Sequence, residues 1–322
     1  MTPRTGRAIA LGVLAMAVLA VVLAALLSGI IPPRPGSAAP PGSPRSFGPV
    51  GASGPGSGAQ TLIAAGDAAR CDGTIDEATA AEIETIPGMV AALGDNAYES
   101  GSPQDYAKCY DPSWGQFKDR TRPVPGNHEY QTPGAAGYFG YFGSSVGSLE
   151  HSWYAWDLGS WRLYALDANC GQIGGCGPGS PELTWLTDDL AANPAHCVLA
   201  YWHQPRFSSG LHGNNPALDD IWRALSAAGA DIVLNGHDHL YERFAQLDAN
   251  GAPVPAGGTR EFVVGTGGGN AYEFQAIRPG SEVRIAETFG VLRLTLDSGT
   301  YDWSFLPING GTHTDSGTDN CS

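Results

Sequence analysis

Four short apolar runs in this chain finish the same way, with an acid or an imidazole directly after the last apolar residues. They are TLIAAGD (61–67), GMVAALGD (88–95), CVLAYWH (197–203) and DIVLNGHDH (231–239). Runs this short, bounded by turn formers, read as buried strands whose C-terminal ends deliver polar side chains. Strands that are apolar throughout need cover on both faces, and amphipathic segments that supply it lie between them. Helices are predicted over 75–86, 181–192 and 216–228, where Pro181 and Pro216 suit first-turn positions. Hairpin-like segments at 152–157 and 161–167, then 261–265, 290–297 and 301–306, add further strands. The sum is a layered α/β domain with mixed sheets over 60–307, its polar residues gathered at one sheet edge. A content of 45 Gly and 24 Pro argues for many loops and excludes a coiled coil or a simple helix bundle.

The ends of the chain read differently. Residues 8–31 form an uncharged apolar run behind Arg4 and Arg7, long enough to span a bilayer and longer than a usual signal-peptide core. Segment 1–31 is therefore expected to direct export, with an uncleaved membrane anchor favoured over a cleaved signal. Ser37-Ala38-Ala39 resembles a cleavage site but lies far from the run and precedes Pro40. Residues 32–59 are Pro, Gly, Ser or Ala apart from Arg34, Arg45, Phe47 and Val50, the composition of a disordered tether. The stretch 308–322 reads as a loop-like tail pinned by Cys321. An extracytoplasmic place, anchored or secreted, fits the six cysteines, none of them in a C-x-x-C pair. Cys71 with Cys109 is the favoured pairing, both being in loops beside the first two polar motifs. Cys170 and Cys176 can close a small glycine-rich loop, and Cys197 on its apolar strand reads equally as a buried free thiol.

The formal net charge is −15, and every basic residue before position 60 lies in a stretch without acids, so the remainder is more acidic still. Such a surface repels phosphate backbones and excludes general nucleic-acid binding. A phosphate-bearing substrate needs concentrated local positive charge, and metal ions are the obvious source.

The strand ends carry that chemistry. G-D, G-D-x-x-Y, G-N-H-E, W-H-x-P and G-H-x-H occur in order and supply Asp67, Asp95, Tyr98, Asn127, His128, His203, His237 and His239. With these five motifs the chain resembles the calcineurin-like metallophosphoesterases, and within them the purple-acid-phosphatase branch, over residues 60–307. The resemblance implies a four-layer αββα sandwich of two mixed sheets, with two metal ions at the C-terminal edges of the strands. It implies Asp67 and Tyr98 as ligands of the first metal and Asp95 as the bridge between both. Asn127, His203 and His237 correspond to ligands of the second metal, and His239 to a ligand of the first. His128 faces the substrate in the family, where a histidine like His212 also often contacts it. Position 204 is Gln204, where many relatives carry a second histidine.

One departure is informative. The general family's first motif is Asp-x-His, but here Asp67 is followed by Ala68 and Ala69. The phenol at Tyr98 matches the missing imidazole, as in the purple-phosphatase branch. A phenol titrates near pH 10, so a strong Lewis acid is needed to hold it as phenolate at neutral pH. Ferric iron does this, which implies Fe(III) in the first site and a divalent zinc, manganese or iron ion in the softer second site. Two metals can clamp the attacking and leaving oxygens of a phosphoryl transfer, and a hydroxide held on them attacks in line. His128 then protonates the leaving oxygen. Asp238 and Glu129 are expected to orient imidazoles through their second nitrogens. Arg206 and Arg243 meet phosphate or pair with carboxylates. Ser208, Ser209 and the loop 134–145 are expected to shape the pocket. The glycine-rich GTGGGN (265–270) reads as a loop near the metal edge, since no Lys-Ser/Thr follows it.

The function this implies is an exported hydrolase of small-molecule phosphate monoesters that meets the membrane through its N-terminal segment. A phosphodiesterase or nucleotidase on the same centre is the enzymatic alternative. A cell-surface binding module without turnover is the alternative of another class.

Overall fold

All four apolar runs form strands in the computed structural model, which describes residues 58–322. The expected export segment 1–31 and all but the last two residues of the tether 32–59 lie outside the described residues. Among the described residues no helix is long and apolar enough to cross a membrane.

The chain enters β1 (Gln60–Ala65), forms helix α1 (Ile75–Glu84), and returns through β2 (Met89–Ala92). A region of short helical turns leads to α2 (Ala136–Phe142) and the antiparallel pair β3 (Tyr154–Leu158) and β4 (Trp161–Ala165). Helix α3 (Pro181–Ala192) starts with Pro181 in its first turn and Ser180 as cap, the Ser180 hydroxyl accepting from the Leu183 amide. Strand β5 (Cys197–Tyr201) follows, and then α4 (Asp219–Ala227), preceded by a tight turn at Pro216–Leu218. The remaining strands are β6 (Ile232–Asn235), β7 (Tyr241–Leu247), β8 (Thr259–Val264), β9 (Ser281–Ile285), β10 (Gly290–Leu296), β11 (Thr300–Pro307) and β12 (Ser316–Asn320).

Two mixed sheets result, ordered β12-β11-β10-β1-β2 and β3-β4-β5-β6-β8-β7-β9. Strands β1 and β2 run parallel in the first, and β4, β5, β6 and β8 run parallel in the second. Parallel pairing brings the polar ends of all four apolar runs to one edge. Side-chain alternation explains the layers. On β5, Cys197, Leu199 and Tyr201 join one core cluster with residues of the first sheet, such as Leu294 and Phe305. Val198 and Ala200 point the other way, into a second cluster with Leu186, Ile221, Trp222 and Leu225 of α3 and α4. The expected αββα sandwich is the fold.

The segment after 307 is a correction. Strand β12 lies within it and pairs antiparallel with β11 at the sheet edge. Buried Asp315 accepts hydrogen bonds from the Tyr241 hydroxyl (2.7 Å), Arg243 Nε (2.7 Å) and Trp303 Nε1 (3.0 Å). The sequence SGTDN has no apolar residue and so reads as a loop; backbone pairing and side-chain bonds to the neighbouring sheet hold it as a strand instead. Disulfides join Cys71–Cys109 and Cys170–Cys176 as expected. The third joins Cys197 to Cys321, which overturns the free-thiol reading of Cys197.

Candidate metal centre

The two sheets touch at the edge where the strands end. Past β1, Gly66 donates its N–H to the Val264 carbonyl of the other sheet (2.9 Å), and Asp67 donates to the Gly94 carbonyl (3.0 Å). Glycine is required at this junction. Gly94 has φ +84°, and a Cβ there would stand 2.7 Å from the His203 ring; at Gly126 a Cβ would stand 2.1 Å from Asp95 Oδ1. The glycines of 265–270 serve the same close approach: a Cβ at Gly269 would meet the His239 ring at 2.7 Å, and one at Gly265 would meet Asp67 Oδ2 at 2.8 Å. That stretch is a loop packed at the site's edge, as the sequence implied.

Backbone strain concentrates in the same place. Asp67, Asp95 and His237 hold φ of 59°, 48° and 71°, and they make up half of the non-glycine residues with positive φ in the described chain. Each such residue costs roughly 1–3 kcal/mol and persists only where its surroundings over-determine it.

All seven residues expected as ligands converge there. The Tyr98 hydroxyl lies 3.0 Å from Asp67 Oδ1, 3.4 Å from Asp95 Oδ2 and 3.0 Å from His239 Nε2. His239 Nε2 is in turn 3.2 Å from Asp67 Oδ1. Around the other lobe, His203 Nε2 stands 3.1 Å from Asp95 Oδ2, 3.1 Å from Asn127 Oδ1 and 3.3 Å from His237 Nδ1. Asp95 is the member common to both lobes. The ligating atoms of Asp95, His203 and His237 all fall within 4.8 Å of one another.

Backbone carbonyls orient the imidazoles. His203 donates Nδ1–H to the Leu93 carbonyl (2.8 Å), and His239 donates Nδ1–H to that of Asn270 (2.5 Å). Both Nε2 atoms therefore face the centre, the arrangement that metal-binding histidines adopt. Asp67 and Asp95 are buried, and no lysine or arginine among the described residues pairs with either. Burial lowers the pKa of His203, but the Asp95 and Asp67 carboxylates outweigh it and push it up to about 10. Burial would raise the Asp95 carboxyl, but His203 and His128 hold it below its usual range. Burial and the two carboxylates push the Tyr98 phenol well above its ordinary value. A pocket of this kind favours cations. Hard carboxylate and phenol oxygens on one side, with imidazoles and an amide on the other, fit two metal ions of different character.

The neighbouring residues divide. His128 donates its backbone N–H to Asp95 Oδ1 (2.8 Å), and its ring lies edge-on to Tyr98 with centroids 4.6 Å apart. Its Nδ1 is held by the Glu99 carbonyl (2.5 Å), which leaves Nε2 free at the mouth of the centre, 3.9 Å from Asp95 Oδ2. His212 donates Nδ1–H to Asp238 Oδ1 (2.9 Å) and packs its ring 4.1 Å from that of His237. Asp238 thus meets an imidazole, that of His212. Glu129 meets none, contrary to expectation: its buried carboxylate accepts the backbone N–H groups of Asp95, Asn96, Ala97 and Gly126. It sits on a helical turn under two loops and reaches only their amides. Arg206 pairs with Asp219, and Arg243 with Glu282 and Asp315, so neither is aimed at the centre.

Sequence reasoning missed Tyr272, which stacks on His239 at 4.1 Å between ring centroids. No motif marks it, because it lies just past the glycine-rich stretch 265–270. Ser208, expected near the pocket, donates its hydroxyl to Asp238 Oδ2 (2.5 Å). A pocket of about 240 Å³ opens beside the centre between Gln204, His212, Asn214, Asn215 and His237. A larger hollow of about 480 Å³ lies over β10, β11 and β12 and includes none of these residues.

Comparisons with known proteins bear on the family and the fold. A model of the family described as Calcineurin-like phosphoesterase matches residues 66–241. Purple acid phosphatase 15 of Arabidopsis thaliana is 26% identical over an alignment of 198 residues that covers 50% of this chain and 36% of that protein. The fold superposes on a purple acid phosphatase from yellow lupin (Lupinus luteus) seeds with a TM-score of 0.66 at 20% identity, covering 82% of this chain and 54% of that one. It also superposes on the anchor protein of the Plasmodium inner membrane complex, with a TM-score of 0.60 at 13% identity, covering 82% and 90%. The chain spans about a third of the length of its curated relative and about half of the lupin chain.

Proposed function

The chain belongs to the calcineurin-like phosphoesterase family, in its purple-acid-phosphatase-like branch, and from that premise we propose that it hydrolyses phosphate monoesters at a two-metal centre outside the cytoplasm. The observation that carries this reading is the two-lobed cluster that shares Asp95, with a phenol in one lobe where Ala69 leaves no imidazole. Asp67, Asp95, Tyr98 and His239 would hold a ferric ion. Asp95, Asn127, His203 and His237 would hold a divalent zinc, manganese or iron ion. When bound, the two ions supply the positive charge that draws in phosphate and acidify a water for in-line attack.

The chain's own residues do the rest. Carbonyl bonds from His203 and His239 keep both Nε2 atoms turned inward, and Glu129 ties together the loops that carry Asp95 and Asn127. At His128 the Nδ1–H bond to the Glu99 carbonyl leaves Nε2, in the imidazolium form of the ring, to give its proton to the leaving oxygen. His212, fixed by Asp238 against His237, would face the substrate from the pocket beside the centre. Three disulfides and no free cysteine among the described residues support an oxidising, extracytoplasmic place. The apolar run 8–31 supports export, with anchoring as the expected outcome.

The deciding experiment measures metal content, visible spectrum and phosphate release of the oxidised protein. About one iron per chain, with a broad tyrosinate band that Tyr98→Phe abolishes, is the expected result. Two colourless zinc or manganese ions would keep the esterase and remove the ferric site. Failure to bind any supplied metal would overturn the centre. Faster cleavage of bis(p-nitrophenyl) phosphate than of the monoester would make the protein a diesterase, and bound metal without any hydrolysis would make it a binding module.

A further inference from the structure

The arginines of the sandwich are mostly matched. Arg162, Arg206, Arg243 and Arg260 meet carboxylates, and Arg120 meets backbone carbonyls. Arg278 differs. It is half-buried in the loop between β8 and β9, where its Nε–H donates to the Ser208 carbonyl (3.1 Å) and its backbone N–H to Ser209 Oγ (2.9 Å). The Gln275 amide adds a third bond, to the Ser209 carbonyl (2.8 Å). These bonds fix the guanidinium and leave its Nη1–Nη2 edge without an acceptor among the described residues. Nη2 lies 3.0 Å from where a Cβ on Gly213 would stand, and Gly213 lines the 240 Å³ pocket together with His212 and His237. Asp238, the carboxylate under this loop, is already engaged by His212 and by the Ser208 hydroxyl.

A second observation concerns the same two loops. Leu211 and Ile277 are exposed at 54% and 53%, and they are two of the three large apolar side chains exposed in the described chain. One precedes His212 and the other precedes Arg278, so the loops that carry them are those laced together at Ser208 and Ser209. A guanidinium with an open edge in a chain of net charge −15, on laced loops that also carry bare apolar side chains and beside the candidate metal centre, is a recognition arrangement.

We propose that the pocket beside the centre is a subsite for a second anionic group on the phosphate ester, read by the free edge of Arg278, with Leu211 and Ile277 covering the apolar segment between the two anions. This rests on the phosphatase reading above. The free edge of a planar guanidinium accepts a carboxylate or a phosphate with two parallel hydrogen bonds, and a neutral alcohol gives it nothing comparable.

The test compares phenyl phosphate, para-carboxyphenyl phosphate and hydroquinone bisphosphate on the full chain, as wild type, Arg278→Gln and Arg278→Lys. The variant-to-wild-type ratio cancels differences among leaving groups. Arg278→Gln is expected to lower kcat/KM about tenfold, mainly through KM, for the esters with a second anion, and to change phenyl phosphate by less than about twofold. Arg278→Lys is expected to recover part of the loss. An effect on the carboxylate alone or on the bisphosphate alone identifies which anion the site takes. Equal effects on all three esters, with an unchanged thermal midpoint, would overturn the subsite and leave the phosphatase standing. If no ester is hydrolysed, the phosphatase reading fails, and the subsite is read by calorimetry with phenylphosphonate and para-carboxyphenylphosphonate. Tighter binding of the carboxylated compound that Arg278→Gln removes sustains the subsite, and equal binding overturns it.

Discussion

Exchanging Glu129 for glutamine keeps the shape of a buried side chain and turns one of its two acceptors into a donor. Oε2 accepts from the amides of Gly126 (2.7 Å) and Asp95 (3.0 Å). Oε1 accepts from the amides of Asn96 (2.9 Å) and Ala97 (3.3 Å) and from the Tyr106 hydroxyl (3.2 Å). Whichever oxygen becomes an NH2 group, at least two buried donors lose their acceptor and face another donor. An orphaned buried donor costs about 1–3 kcal/mol, so the substitution should cost about 2–4 kcal/mol even with some relaxation. For a domain of this size that lowers the thermal midpoint by roughly 5–15 °C. The loops that must move carry Asp95 and Asn127, so metal affinity should fall as well, by about 10- to 100-fold as for other residues that support ligands. Thermal denaturation of the metal-free protein reads the first effect, and metal titration reads the second. Tyr106→Phe is the comparison, because it removes one donor and leaves the carboxylate its four amides. A Glu129→Gln protein that melts and binds metal like the wild type would refute the claim that this carboxylate holds the centre together.

Two further outcomes concern stability. Cys321→Ser opens the bridge to Cys197, whose sequence separation is 124, and by the chain-entropy relation costs about 5 kcal/mol. Denaturant midpoints under non-oxidising conditions for the variant, and with and without reductant for the wild type, check this. Burial pushes the Glu261 carboxyl up to about 8, with the backbone N–H groups of Phe207 and Arg206 only partly opposing it. The folded state therefore keeps a proton that the unfolded chain loses near pH 4.5, and this group's contribution to stability falls as pH rises from about 4.5 to about 8. Glu261→Gln should flatten that fall, gaining on the order of 3–5 kcal/mol over wild type between pH 5 and pH 9. Parallel pH profiles for the two proteins would contradict it.

The parts of the fold legible in the sequence are those whose burial is uniform. Strands β1, β2, β5 and β6 are apolar on both faces, so their runs announce themselves. Strand β7 escaped because its polar residues are matched inside the fold: Arg243 meets Asp315, and Gln246 donates to Asp319 (2.7 Å). Both partners come from the far end of the chain, which local periodicity does not reveal. Strand β12 has no apolar residue, and α2 carries Gly137 and Gly140 among its aromatics. The seven cluster residues were legible because each follows a strand or its loop at fixed spacing. The groups that aim them were not. The carbonyls of Leu93, Asn270 and Glu99 orient three imidazoles, and any residue type can supply a carbonyl. Glu129 was found as a candidate, but its bonds to four amides depend on how two loops cross.

The strands that carry the centre all run toward it, and this fixes where the domain can be held. Gln60 opens β1 and Cys197 opens β5, both at the edge far from the ligands, and the disulfide ties Cys321 to that same edge. At a rise of about 3.3 Å per residue, the six steps from Cys197 to His203 span roughly 20 Å. A dye, a support surface or a fused partner joined just before residue 60 or after residue 322 therefore grips the sandwich from behind. The edge that carries the candidate metal centre lies away from either handle.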